Sequence, residues 1–108
     1  GPGMAKQMVY TARNIKADEA LRIGLVNAVY PLAELYTAAE KLASQIAANA
    51  PIAVRAAKKA INEGLDLPMD EAVVVEEKAF GSCFETADQQ EGMGAFLEKR
   101  KHEPFTNK

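Results

Sequence analysis

The chain has 108 residues, a formal net charge of −2 and 48% hydrophobic residues, few of them aromatic. That length predicts one domain, and the charge gives no general pull toward nucleic acid or an anionic membrane. Its single cysteine, Cys83, can form no internal disulfide and cannot alone build a zinc site, which excludes a disulfide-stapled secreted scaffold. No apolar run approaches the roughly 18 residues of a membrane span. The first residues lack the basic, apolar, small-residue order of a signal peptide, so a cytoplasmic location is expected. Gly1-Pro2 is either a protease-site scar or native sequence. Twenty residues are Ala, which loses no side-chain entropy in a helix. Strand-favouring β-branched and aromatic residues are comparatively few. The expectation is an all-α chain of thin, closely approaching helices.

Met4, Met8 and Val9 recur at helical spacing and predict a short first helix ending near Thr11. Ala17, Ala20 and Leu21 predict a second, closed by Gly24 in the left-handed conformation. Leu25–Tyr30 is apolar and short, either a strand or an extended crossing, and Pro31 stops it. Leu32, Leu35, Tyr36, Ala39, Leu42, Ile46 and Ala50 then form one stripe of an amphipathic helix of about five turns. Asn49-Ala50-Pro51 breaks it, with Pro51 suited to the first position of a new helix that Gly64 ends. Pro68 starts the next. Met69, Val73, Phe80 and Phe84 share one of its faces, while Ala72, Val75, Ala79 and Cys83 share a neighbouring one. Two apolar stripes predict burial from two sides. Thr86-Ala87-Asp88-Gln89 is a capping-box pattern opening the last helix. Met93, Phe96 and Leu97 are its expected inward face, and Lys99-Arg100-Lys101 its expected cationic end.

Few residues suggest chemistry. His102, the only histidine, lies in a basic tail with no nucleophile or carboxylate set against it, as catalysis would require. Cys83 follows the apolar periodicity and suits a buried thiol. Glu76 and Glu77 are adjacent, so on a helix they diverge by about 100° and cannot converge as an acid–base pair; one is expected to be half-buried. Gly92-Met93-Gly94 suits close packing against another backbone, and no strand–turn–helix context supports a phosphate loop. The run Lys99-Arg100-Lys101 either binds a phosphorylated ligand or complements the helix dipole. Phe80 and Phe84, four apart, are core residues unless one ring reaches a ligand groove.

Three segments together resemble the crotonase (enoyl-CoA hydratase/isomerase) superfamily. Ala17–Asn27 is similar to that family's "A-x-x-A-x-x-x-G-L-V-N" stretch. Asn49-Ala50-Pro51 with Ala57-Lys58-Lys59-Ala60 resembles the helix junction that follows, and Phe80–Lys101 resembles the C-terminal signature. Order and spacing match over essentially the whole chain. The resemblance implies the helical, oligomer-forming C-terminal domain, over residues 1–108, of a crotonase-like α/β fold whose N-terminal ββα spiral is absent here. That spiral supplies the oxyanion-hole N–H groups and, in hydratases, the catalytic glutamates. No catalytic residue is therefore carried over, and Glu76, Glu77 and Glu91 are not promoted to that role. What the resemblance does carry over is a contact of Phe80 and of Lys99 with coenzyme A, often in the pocket of a neighbouring subunit.

The implied parent is a hydro-lyase that hydrates short-chain trans-2-enoyl-CoA in fatty acid metabolism. It would be a homo-oligomer, a trimer or dimer of trimers. It would use no metal and no cofactor beyond the thioester substrate, and would bind neither nucleic acid nor membrane. The isolated chain is expected to be inactive. The alternative is a stand-alone helical interaction or regulatory module. A helix-turn-helix DNA binder is disfavoured by the charge and by the lack of a helix rich in Arg and Asn.

Overall fold

The computed structural model describes all 108 residues. It contains six helices and no strand, as the composition predicts. Two compact units divide it, Gly1–Ala39 and Glu40–Lys108.

The first unit holds α1 (Pro2–Thr11), α2 (Ala17–Arg22) and the start of α3 (Leu32–Ala47). Pro2 opens α1, where a missing N–H costs nothing. The helix ends at Thr11 as predicted, on Ala12 at φ 48°. A Schellman turn closes α2: the Gly24 N–H donates to Leu21 O at 3.1 Å and the Leu25 N–H to Ala20 O at 2.9 Å. Gly24 takes φ 73°, a backbone that glycine adopts without a Cβ penalty. The link between α1 and α2 is braced by Arg13, whose guanidinium donates to both oxygens of Glu19 at 2.9 and 2.6 Å. Leu25–Tyr30 forms no strand: Leu25, Val26 and Asn27 bend out of the turn that closes α2, and only residues 28–30 run on without a bend. The amphipathic stripe of α3 forms as a helix, yet none of its residues is buried.

In the second unit α4 (Pro51–Gly64) and α5 (Met69–Cys83) form a helical hairpin, the one extensively packed helix pair of the chain. Pro51 opens α4 and Gly64 ends it, as expected. Small residues permit the approach: a Cβ placed on Gly64 would lie 3.5 Å from that of Ala72. Of the two stripes on α5, only one packs. Ala72, Val75, Ala79 and Cys83 are half-buried, whereas Met69, Val73, Phe80 and Phe84 are exposed. The expected burial from two sides is not realised within this chain, because α4 covers one face and nothing in the unit covers the other.

The Thr86 hydroxyl caps α6 (Ala87–Leu97) by accepting the Gln89 N–H at 3.0 Å. No reciprocal bond from the Gln89 side chain completes the box. The expected inward face of α6 is overturned. Met93, Phe96 and Leu97 are exposed, and the buried residues are Asp88 and Ala95. The polar and small face points inward because the chain's own tail, rather than another helix, folds over it.

Ala20 and Ala95 are the only buried apolar residues. The chain exposes 8972 Å², whereas two separately compact bodies of these lengths would together expose roughly 7,000 Å². These helices therefore leave much of their apolar surface open.

Candidate functional site

Asp88, Glu91 and Gly92 are spaced three and four apart, so they share one face of α6. Residues 98–108 fold back along that face. The Asp88 carboxylate accepts the Thr106 N–H at 2.6 Å, the Thr106 hydroxyl at 3.2 Å and the Asn107 N–H at 2.8 Å. Its own N–H donates to Lys108 O at 3.2 Å. Burial pushes the Asp88 carboxyl up, but these donors outweigh it and hold it below the usual carboxylate range. The Phe105 ring lies 3.6 Å from where a Gly92 Cβ would sit. Gly92 and Gly94 thus accommodate the tail and an arginine rather than the second backbone expected of them. Arg55 of α4 ties the same tail, donating to Asn107 Oδ1 at 2.6 Å.

Glu91 makes the second anchor. Both its oxygens accept from the Arg100 guanidinium, at 2.6 and 3.1 Å, and Oε1 also accepts the Glu103 N–H at 2.8 Å. Arg100 and this N–H hold the Glu91 carboxyl down at about 2. A carboxylate so held is no general acid near neutral pH. Arg100 also donates from Nε to Glu98 at 2.6 Å, and its two carboxylates raise its own pKa.

Lys99 lies between these anchors. The helix ends at Leu97, so the basic run falls beyond the last turn rather than in it. A second Schellman turn closes the end: the Lys99 N–H donates to Phe96 O at 3.2 Å and the Arg100 N–H to Ala95 O at 3.0 Å. Lys99 occupies the left-handed position at φ 54°, the place glycine prefers. Its ammonium is exposed and makes no hydrogen bond or ion pair. Of the three consecutive cations, the middle one is structural while Lys99 and Lys101 remain unpaired.

Phe80 is 66% exposed and meets Phe84 edge to face, with centroids 5.1 Å apart. It is one of the residues lining an open cavity of about 480 Å³ between α4 and α5, with Ala53, Ala56 and Ala60 from one helix and Ala72, Val73 and Ala79 from the other. No hydrogen bond, ion pair or ring contact joins Phe80 to Lys99.

The remaining candidates stay apart. His102 is exposed, its Nδ1 2.8 Å from Glu103 O and its ring stacked on Phe105 with centroids 4.3 Å apart. The Cys83 thiol is half-buried and donates to Ala79 O at 3.3 Å. Glu76 and Glu77 are both exposed, contrary to the expectation that one would be half-buried, because α4 packs on the neighbouring stripe. No group of three or more His, Cys, Asp or Glu side chains converges. Sequence reasoning overlooked the anchoring roles of Asp88, Glu91 and Arg100. The available signal was an acidic pair three apart on a helix, followed by a basic run and an aromatic tail.

Comparison with known proteins agrees with the helical architecture. The sequence model of the enoyl-CoA hydratase/isomerase family matches residues 1–108. The short-chain-enoyl-CoA hydratase of Clostridium acetobutylicum is 55% identical over 108 residues, all of this chain and 41% of the relative. The crotonyl-CoA hydratase of Syntrophomonas wolfei is 55% identical over 101 residues, 94% of this chain and 39% of the relative. Among crystal structures, an enoyl-CoA hydratase from Bacillus anthracis superposes with a TM-score of 0.91 at 40% identity, covering 98% of this chain and 41% of its own. One from Geobacillus kaustophilus gives 0.94 at 38% identity, covering all of this chain and 42% of its own. The chain spans about two-fifths of the length of these relatives. With a family match along its full length, the chain belongs to the enoyl-CoA hydratase/isomerase family.

Proposed function

We propose that residues 1–108 form the helical C-terminal domain of an enzyme that adds water reversibly to short-chain trans-2-enoyl-CoA. One observation carries this: 55% identity along the whole chain to a protein named short-chain-enoyl-CoA hydratase. The domain contributes subunit contacts in a homo-oligomer and part of the coenzyme A pocket, and the thioester is substrate with no further cofactor. The large exposed apolar surface supports a role in contacts.

Hydration of an enoyl thioester needs hydrogen-bond donors at the thioester oxygen and carboxylates that position and deprotonate water. Glu91 is bound to Arg100, and Glu76 and Glu77 are separate surface groups. The catalytic carboxylates therefore belong to the rest of the enzyme. What these residues offer is binding: the exposed Phe80 ring as a surface for adenine and the unpaired Lys99 ammonium for a phosphate.

The test is crotonyl-CoA hydration, followed by loss of enone absorbance, with the whole enzyme and the 108-residue chain side by side. The whole enzyme should turn over to the 3-hydroxyacyl product and the chain alone should not. Turnover by the chain alone would overturn the domain assignment. A whole enzyme that only shifts the double bond would overturn the hydratase reading.

A further inference from the structure

Lys99 combines a backbone that a lysine adopts at a cost with a side chain that touches no partner. The residues around it are tied. Arg100 N–H is bonded to Ala95 O, Arg100 is forked onto Glu91, and the Glu103 N–H is bonded to Glu91 Oε1. Glu98, on the other side, is drawn onto Arg100 Nε. One carboxylate thus fixes the turn after Lys99 at two points, residues 100 and 103. It also engages the cation next to Lys99, so Arg100, which already faces two carboxylates, is poorly placed to serve an anionic ligand. Lys99 and Lys101 are the cations left free on this turn, and only Lys99 is set on its left-handed position.

We propose that Glu91 is a positioning residue, which through Arg100 holds the 98–103 turn so that the Lys99 ammonium is presented to the phosphates of an acyl-CoA. This rests on the reading of Lys99 as a coenzyme A contact. Glu91 itself touches no substrate. A purely structural staple would have the same bonds but a different functional signature, and the two are separable.

The experiment is a double-mutant cycle in the whole enzyme with two thioesters, crotonyl-CoA and crotonyl-pantetheine, which lacks the phosphates. The readout is the preference for the former, as the ratio of their kcat/KM values. Loosening of the fold lowers both values and cancels from the ratio. Lys99→Ala should lower the preference roughly three- to tenfold, the range of one partly solvated charged contact. Glu91→Gln should lower it by a similar factor, and the double variant by no more than the larger single effect, since groups acting as one unit are not additive. An unchanged preference in Lys99→Ala overturns the reading of Lys99 and the proposal with it. If Lys99→Ala lowers the preference while Glu91→Gln does not, or Glu91→Gln lowers it equally in the Lys99→Ala background, only the positioning role is overturned. Should Glu91→Gln lose its helical circular dichroism, Arg100→Lys replaces it in the cycle, keeping the charge and giving up the fork.

Discussion

Asp88 accepts the backbone N–H groups of both Thr106 and Asn107, one on each carboxylate oxygen. The carboxylate is almost wholly buried, 2% exposed, with no cation beside it. Backbone donors and the Thr106 hydroxyl compensate its lost hydration. The converse holds for the tail, for which this side chain supplies three bonds, beside the Asp88 N–H on Lys108 O and Arg55 on Asn107 Oδ1. Asp88→Ala should therefore release residues 104–108 without unfolding α6, which keeps its Thr86 cap. Amide exchange checks this: protection at Thr106 and Asn107 should vanish while that of the α6 interior persists. Unchanged protection at Thr106 would show that the tail is held by other contacts.

The same anchors make the tail sensitive to acid. Glu91 is held at about 2, down from 4.5, and faces Arg100, with Glu98 on the same guanidinium and His102 nearby. Asp88 is also lowered. A depressed carboxyl contributes stability that is complete above its unfolded value and is lost as pH falls through the folded one. The tail should thus be intact above pH 4.5 and detach progressively toward pH 2. Amide shifts of Glu103 and Thr106 followed through an acid titration report it. A Glu103 midpoint near 4.5 would show that the Glu91 clamp does not persist in solution.

What was legible in the sequence follows from which forces are local. Helix ends at Thr11, Gly24, Pro51 and Gly64 were readable because caps, proline and left-handed glycine act within a few residues. The inward face of α6 was not, because hydrophobic periodicity records where apolar groups want to be buried and not what lies in this chain to bury them. Met93, Phe96 and Leu97 keep the pattern and remain exposed. For the pair Phe80 and Phe84 and the run Lys99-Arg100-Lys101 a ligand role was readable as the alternative to core and dipole roles, and only family resemblance singled out Phe80 and Lys99 among them. The tie from Glu91 to Arg100 spans nine residues and two turns of backbone geometry, which no spacing rule marks.

The two Schellman turns should respond oppositely to glycine. Gly24 sits at φ 73° with nothing within 4 Å of an added Cβ, so Gly24→Ala introduces backbone strain alone and should cost about 1 kcal/mol. Lys99 occupies the equivalent place at φ 54°. Lys99→Gly relieves the strain and should stabilise by about 0.5–1 kcal/mol, while lowering affinity for acyl-CoA. Urea denaturation of both variants checks the signs. A destabilised Lys99→Gly would mean that the lysine stem contributes packing that outweighs its backbone.

Thr86 accepts the Gln89 N–H at the start of α6. Without the reciprocal half of a capping box, this hydroxyl is the only side-chain cap of the helix. Thr86→Ala should cost about 1 kcal/mol, and Thr86→Ser, which keeps the acceptor, only a fraction of that. Equal losses in the two variants would assign the effect to the Thr86 methyl group instead.

The two stripes of α5 should also separate by experiment. Ala79 lies on the half-buried stripe and lines the open cavity between α4 and α5, so Ala79→Leu fills part of that space and should stabilise the hairpin by about 0.5–2 kcal/mol. Val73 and Phe84 lie on the other stripe, 41% and 50% exposed. An exposed apolar face of this kind is covered by association rather than left in water. Val73→Glu with Phe84→Glu should accordingly lower self-association by at least about tenfold, since burying two unpaired carboxylates at a contact is costly, with little change in the helicity of the monomer. Sedimentation equilibrium over a concentration series measures the first effect and circular dichroism the second. Association that survives the double substitution would place the contact on another face, with the exposed stripe of α3 the next to test.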